Sequence, residues 1–204
     1  MFTGIIQKTA HVTSVAKTKT GVAVSVRVLN GWKLHEGQSI AVNGICSTVR
    51  TLKGRTVAFD YVLETIRKTT VHWWREGDML NLEQSLRLGD PLDGHVVMGH
   101  VEGRGRIDAL LAEKGEKLFK ISASREIIQG IIKKGSIALD GVSLTVIDVA
   151  DTWFAVALIP YTLSHTNWGK HAVGTIVNIE TDILGRQRMQ TVLGTYAKKK
   201  HRQR

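Results

Sequence analysis

The sequence predicts an all-β protein built as a tandem duplication: an antiparallel β-barrel over residues 1–90, a second over 91–186, and a helix with a basic tail over 187–204. Three observations carry this. Short apolar runs rich in β-branched and aromatic residues, such as GVAVSVRVL, SIAVNG, RTVAFDYV and WFAVALIP, alternate with polar turns. Twenty glycines against two prolines supply turns without helix-breaking prolines. The second half also repeats the first: SIAVNGICSTV, Ser39 to Val49, aligns with SIALDGVSLTV, Ser136 to Val146, a displacement of 97 positions.

Taken in chain order, MFTGIIQKTAHV resembles VVMGHVEGRGRI at an offset of 95, which pairs Gly4 with Gly99. From Ser39 onward the offset of 97 holds without a gap, matching Thr65 to Thr162, Thr69 to Thr166, Gly77 to Gly174, Asn81 to Asn178 and Glu83 to Glu180. Chance would not hold register that long. Each unit of about 90 residues has enough short strands to close a small barrel, and closure removes the open edges of a sheet. The linker falls in RLGDPLDG, Arg87 to Gly94. Three segments resist the strand reading and predict short helices: ETIRKTT, its repeat TLSHTNWG, and ASREIIQGIIKKG. Beyond the second unit, Met189, Val192, Leu193 and Tyr196 fall at i, i+3, i+4 and i+7, one apolar face of a helix that covers its own barrel or packs against copies of itself.

Composition narrows the function classes. A hydrophobic fraction of 43% suits a globule with a buried core. No run approaches the roughly 20 apolar residues of a spanning helix, and the N-terminus has no basic then apolar leader, so a cytoplasmic protein without membrane contact is expected. Cys46 is the only cysteine, which excludes an internal disulfide and cysteine-paired zinc sites. The net charge of +10 raises a polyanion partner, but five basic residues sit in the last seven, KKKHRQR. The rest carries 23 basic against 18 acidic groups, without basic and aromatic residues interleaved on strands, so a nucleic-acid partner is not expected.

Where the halves disagree, two similar pockets can take different jobs. Cys46 stands where Ser143 does, Ile5 where His100 does, Asn43 where Asp140 does, and Glu64 where Tyr161 does. Cys46 and Ser143 each follow a turn glycine by two residues, which sets a small nucleophilic or hydrogen-bonding group at a pocket wall, although a lone cysteine also reads as a small buried hydrophobe. His100 is a candidate base or donor, or a satisfied structural histidine. His95 and His100, five apart on an expected strand, point to opposite faces and should not share a metal, so no metal is expected. GRGRI, Gly103 to Ile107, lacks the following helix of a phosphate loop, and the five tryptophans read as core or interface.

MFTGII, VNGIC, GHVVMGHVEG, LDGVSLTV, IPYTL and VNIETDIL, in this order over nearly the whole chain, resemble the riboflavin synthase family. The resemblance implies two six-stranded Greek-key barrels, a homotrimer held by the C-terminal helix, and a pocket pair formed between the first barrel of one copy and the second of its neighbour. It implies a dismutation of two molecules of 6,7-dimethyl-8-ribityllumazine, one giving four carbons to the other to yield riboflavin and 5-amino-6-ribitylaminopyrimidinedione, with no cofactor.

The same resemblance implies site residues. Ser39 and Cys46 would be the polar pair of the first barrel near the reacting carbons, and His100, Ser143 and Thr145 the groups of the second. Loss of a proton from the C7 methyl of one lumazine would be assisted by His100 with Thr145, while water, Ser39 or Cys46 would add to the other. Substrate contacts would come from the N-terminal segment Phe2, Thr3, Gly4, Ile5 and Ile6, from Ser47 and Thr48, and from Asp60, Tyr61, Val62, Leu63, Glu64 and Thr65. The second set would comprise Gly99, Val101, Lys134, Leu144 and Asp182, then Ile159, Pro160, Tyr161, Thr162, Leu163 and Ser164. Three features depart from the family pattern. Ser47 replaces a commonly apolar residue, ILGRQRMQ after Asp182 lacks an aromatic, and the tail is unusually basic. A non-catalytic lumazine- or flavin-binding protein of the same fold is the competing reading, and the reactive residue types present in both halves favour the enzyme.

Overall fold

The computed structural model describes residues 1–28, 31–113 and 115–186. The expected C-terminal helix, with its apolar stripe, lies outside these residues. The first repeat runs β1 (Lys8–Lys17), β2 (Gly21–Arg27), β3 (Ser39–Val42), β4 (Ile45–Thr48), β5 (Thr51–Lys53), β6 (Thr56–Val62), α1 (Leu63–Lys68) and β7 (Met79–Gln84). The second runs β8 (Gly103–Glu113), β9 (Glu116–Ala123), α2 (Arg125–Gln129), β10 (Ser136–Leu139), β11 (Val142–Val149), β12 (Trp153–Leu158), α3 (Pro160–His165) and β13 (Ile176–Thr181). The three expected helical segments are helical, each of the repeated pair continuing into a 3₁₀ turn, Thr70–Trp73 and Asn167–Lys170.

Every strand pairing is antiparallel, and the second sheet closes in the order β10-β11-β12-β9-β8-β13. The first has the order β4-β3-β7-β1-β2-β6-β5, in which β4 and β5 are two pieces of one strand kinked at Val49–Arg50. At the equivalent place β11 carries a bulge, between Val146 and Asp148. Joining β4 to β5 makes the two orders the same six-stranded ring, with the meander β10-β11-β12 flanked by β13 in Greek-key fashion. A second bulge repeats as well, at Val12–Ser14 in β1 and Ile107–Ala109 in β8. Bulges bend strands enough for so few to close a barrel.

Alternation explains the filling of each barrel. Val24, Val26, Ile40, Val42, Val57, Phe59, Leu80 and Leu82 form the first core, and Ile107, Phe119, Ile121, Ile137, Leu139, Phe154, Val156 and Trp168 build most of the second. Trp168 and Trp74 are buried as expected, whereas Trp73 is half exposed and holds Arg104 of the second barrel 4.6 Å over its ring. The repeated threonines have a mechanical reason. Thr69 and Thr166 each donate to a carbonyl one helical turn back, Thr65 or Thr162, and accept from the N–H two residues on, which welds helix to 3₁₀ turn.

One buried pair distinguishes the cores. Ser47 Oγ donates to Ile45 O and lies 2.9 Å from Tyr61 Oη, where the second barrel has Leu144 and Leu158. Burial raises the Tyr61 hydroxyl far above its ordinary range, against the pull of Ser47, so it stays a neutral donor. Ser47→Leu would orphan that hydroxyl and overfill the core, an expected loss of about 2–3 kcal/mol by chemical denaturation. Adding Tyr61→Leu should restore most of it by reproducing the second barrel's pair. Additive losses would show that the two residues do not act together.

The barrels meet at their hairpin tips. Asn43-Gly44 and Asp140-Gly141 have positive φ at both residues (44° and 77°, 45° and 79°), as two-residue type I′ loops demand. The glycines face each other so closely that a Cβ on Gly44 would lie 2.7 Å from Gly141 N. Around them Asn81 Nδ2 donates to Asp140 O at 3.0 Å and Asn178 Nδ2 to Asn43 O at 2.9 Å, each repeat's asparagine serving the other's hairpin. The Asn43/Asp140 difference, expected to carry chemistry, is instead part of this seam. Asp140 Oδ1 accepts from Asn178 N and Oδ2 from His171 Nε2.

Candidate active site

Alternation along β4 leaves Cys46 and Thr48 outward and Ile45 and Ser47 inward, and β11 repeats this with Thr145 outward and Leu144 inward. Ser39 pairs with Thr48 and Ser136 with Thr145, so the polar groups share the outer face of each hairpin. What covers that face is exchanged between repeats. Cys46 N donates to Gly99 O at 2.8 Å, and Ser143 N donates to Gly4 O at 2.8 Å. The segment before the second barrel thus lies on the first, and the N-terminal segment lies on the second. Val101 packs against the first core and Ile6 against the second accordingly. Glycine is required at both crossings, because φ is +77° and +78° and a Cβ would come within 2.6 Å of Cys46 Cβ or 2.7 Å of Ser143 Cβ.

Two buried glutamates hold the exchanged segments. Glu180 of β13 accepts from the N–H groups of Met98 (2.7 Å), Gly99 (2.9 Å) and His100 (3.0 Å). Glu83 of β7 accepts from Thr3 N and Oγ1 (2.7 Å each) and Gly4 N (3.0 Å). Burial pushes both carboxyls above the usual glutamate range and the N–H donors pull them back. Each barrel's last strand therefore fastens the strap that crosses the other barrel. A glutamate at the same position of two apolar strands was the signal for this pair in the sequence.

In the first barrel the strap and α1 enclose a cleft of about 290 Å³ lined by Cys46, Glu64, Thr65, Lys68, Gly99 and His100. An exposed thiol and an imidazole share one opening, with the Glu64–Lys68 ion pair (3.1 Å) at its rim. His100 was expected with Ser143 and Thr145. The strand exchange sets it beside Cys46 instead, and His95 and His100 lie on an irregular strap, not a strand.

At the second barrel, Ser143 is half buried under Gly4, and Ile5 stands exposed beside it. Ser143 Oγ lies 2.7 Å from His95 Nδ1, a residue weighed in the sequence only as a metal partner of His100. Burial lowers the His95 pKa, opposed by the charge of Asp182. Ile159 and Tyr161 stand exposed at the start of α3, as Val62 and Leu63 do at α1, and Tyr161 stacks on His165 at 4.0 Å. Ser164 Oγ donates to Tyr161 O, while Leu163 packs on the core. Exposed Lys134 has φ 66° where the first repeat has Gly37.

Several expected contact residues are not at a cleft surface. Phe2 is fully buried between the barrels with Ala41, Val97 and Ala138, bridging to Val97, and so positions Gly4 from behind. Ser47, Tyr61 and Leu144 lie inside the barrels, and Asp60 pairs with Arg50 at 3.4 Å on the surface. Asp182 Oδ1 accepts from Leu184 N. A cavity of about 470 Å³ lies at the seam between Trp73, Trp74, Lys170 and His171, and its lining includes neither Cys46 nor Ser143.

Fold and geometry define a duplicated-barrel protein with equivalent outer hairpin faces, each crossed by the other repeat's leading segment, and a cleft beside the first of them. The chain matches the lumazine binding domain family twice, over residues 3–85 and 98–182. It is 38% identical to the riboflavin synthase of Chlamydia trachomatis serovar D over 199 residues, covering 98% of both chains. Against the Escherichia coli K12 riboflavin synthase the identity is 37%, covering 89% of this chain and 87% of that one. The crystal structure of LumP complexed with riboflavin superposes with a TM-score of 0.82 at 26% identity, covering 89% of this chain and 99% of LumP. The chain belongs to the riboflavin synthase family and is an enzyme of that type.

Proposed function

We propose that the protein catalyses the dismutation of two 6,7-dimethyl-8-ribityllumazine molecules, transferring four carbons between them to give riboflavin and 5-amino-6-ribitylaminopyrimidinedione. The observation that carries this reading is the pair of equivalent outer hairpin faces that hold different reactive groups: a thiol and an imidazole lining a cleft on the first barrel, serine and threonine hydroxyls on the second. A reaction between two copies of one molecule needs two such seats. LumP has been crystallised with this lumazine and with riboflavin on the same fold.

The seats come together between copies, the first barrel of one facing the second barrel of another in a trimer assembled through the apolar stripe of Met189, Val192, Leu193 and Tyr196. Because His100 lines the first barrel's cleft and Thr145 stands on the outer face of the second barrel, the two approach one lumazine from opposite sides and assist loss of its C7 methyl proton. Water, Cys46 or Ser39 adds to the other lumazine, carbon–carbon bonds form, and two eliminations release the products. Holding both reactants in attack geometry supplies roughly 7–11 kcal/mol.

Mixing the protein with the lumazine should yield one riboflavin per two lumazines, followed by absorbance and fluorescence. Cys46→Ala and His100→Ala are expected to lower turnover more than binding. Tight binding without conversion would reassign the chain to the non-catalytic carriers of this fold, and a monomer with full activity would remove the shared site.

A further inference from the structure

The first cleft has a brace that the duplication does not repeat. Arg104 of β8 follows shortly after the strap residues His100 and Val101 that line this cleft, and its guanidinium lies 4.6 Å over the ring of half-exposed Trp73. Arg104 Nη1 also donates to Thr69 O at a long 3.4 Å. Thr69 lines the same cleft, and it joins the Thr70–Trp73 turn to α1, whose Glu64, Thr65 and Lys68 form the opposite wall. None of the ion pairs among the described residues includes Arg104, so its charge meets the indole face and a carbonyl. A flat guanidinium can stack on a ring and donate sideways at once.

The neighbouring strand shows which part of this contact the two repeats share. Arg104 pairs with Asn178 across β8 and β13, and Asn178 Oδ1 accepts from Thr70 N at 2.8 Å. In the first repeat Thr9 pairs with Asn81, and Asn81 Oδ1 accepts from Asn167 N at 2.8 Å. Each asparagine thus fixes the start of the other barrel's 3₁₀ turn. The arginine contact is one-sided, because the positions related to Arg104 and Trp73 hold Thr9 and Lys170, neither of which has an aromatic face.

Resting on the lumazine seat proposed for the first cleft, we propose that Arg104 is a positioning residue: stacked on Trp73 and donating to Thr69, it holds α1 against the strap and sets the width of the opening that Cys46 and His100 share. Asn178 alone anchors the turn beyond α1. Arg104 adds a second point of attachment on the strap side, and only the first barrel's helix receives it.

The test uses the full chain and its single thiol. The rate of Cys46 alkylation by iodoacetamide without ligand reads the opening, protection of Cys46 by added riboflavin reads affinity at this cleft, and denaturant midpoints read stability. Arg104→Ala is expected to speed alkylation and weaken riboflavin protection about threefold to fivefold, the worth of one exposed cation–π contact. Trp73→Ala should match it, and the double variant should add nothing. Trp73→Phe keeps an aromatic face and should stay near wild type, while Arg104→Lys, which keeps the charge without the flat fork, should fall between. Val156→Ala in the second core is the stability control, expected to lower the midpoint and leave alkylation unchanged. Unchanged alkylation in Arg104→Ala, whatever its midpoint, or additive effects in the double variant, overturns the proposal. If riboflavin fails to protect Cys46 in the wild type, the seat reading fails, and ligand-free alkylation still judges the brace.

Discussion

Glu180→Ala is expected to lower the folding free energy by about 3 kcal/mol or more, because the N–H groups of Met98, Gly99 and His100 would lose their acceptor inside the protein. Relief of the carboxylate's own burial offsets part of this, so the figure is smaller than three full desolvation penalties. The functional loss has a direction. Glu180 stands in the second barrel, yet it fastens the strap over Cys46, so the first cleft should lose ligand while Ser143 keeps its cover from Gly4. Glu83→Ala should do the converse. Denaturant midpoints together with ligand stoichiometry check both, and unchanged stability in Glu180→Ala would mean that the strap is held by other contacts.

Gly44→Ala is the second large effect. The new Cβ would meet Gly141 N at 2.7 Å and Gly141 Cα at 3.0 Å, backbone against backbone, so no side-chain rotation relieves it. A left-handed φ costs a non-glycine residue about 1–2 kcal/mol and the overpacking a further 1–3, for an expected loss of roughly 3 kcal/mol. Gly37→Ala is the control. Gly37 also has positive φ (81°) but nothing lies near its missing Cβ, and the equivalent Lys134 carries a full side chain at φ 66°. Thermal or chemical denaturation should separate the two variants by about 2 kcal/mol. Equal losses would show that backbone conformation alone, not the meeting of the tips, accounts for Gly44.

Much of this was legible in the residues. The offset of 97 from Ser39 to Ser136 predicted the duplication, and the alternating runs predicted strands. The ring closure, bulges and repeated helix turns agree with that reading. The exchange was not legible, because pairing Gly4 with Gly99 identifies equivalent positions without saying which barrel each covers. That is why His100 was expected beside Ser143. His95 escaped because its partner Ser143 lies 48 positions further along the chain and only the fold brings the two together. Asn43 and Asp140 looked chemical because they differ, yet one partner, His171 in place of Trp74, accounts for the acid. Ser47 stood out as a departure, and Tyr61 explains how the core tolerates it.

The crossed straps also say something about ancestry. A lone first repeat would have Cys46 uncovered and its own Met1–Ile6 arm with nothing to lie on, two complementary vacancies on one molecule. Two such molecules could satisfy each other about a twofold axis, arm over hairpin in both directions. The present chain then reads as a fused pair of such partners, and fusion lets one half carry a thiol where the other carries a hydroxyl.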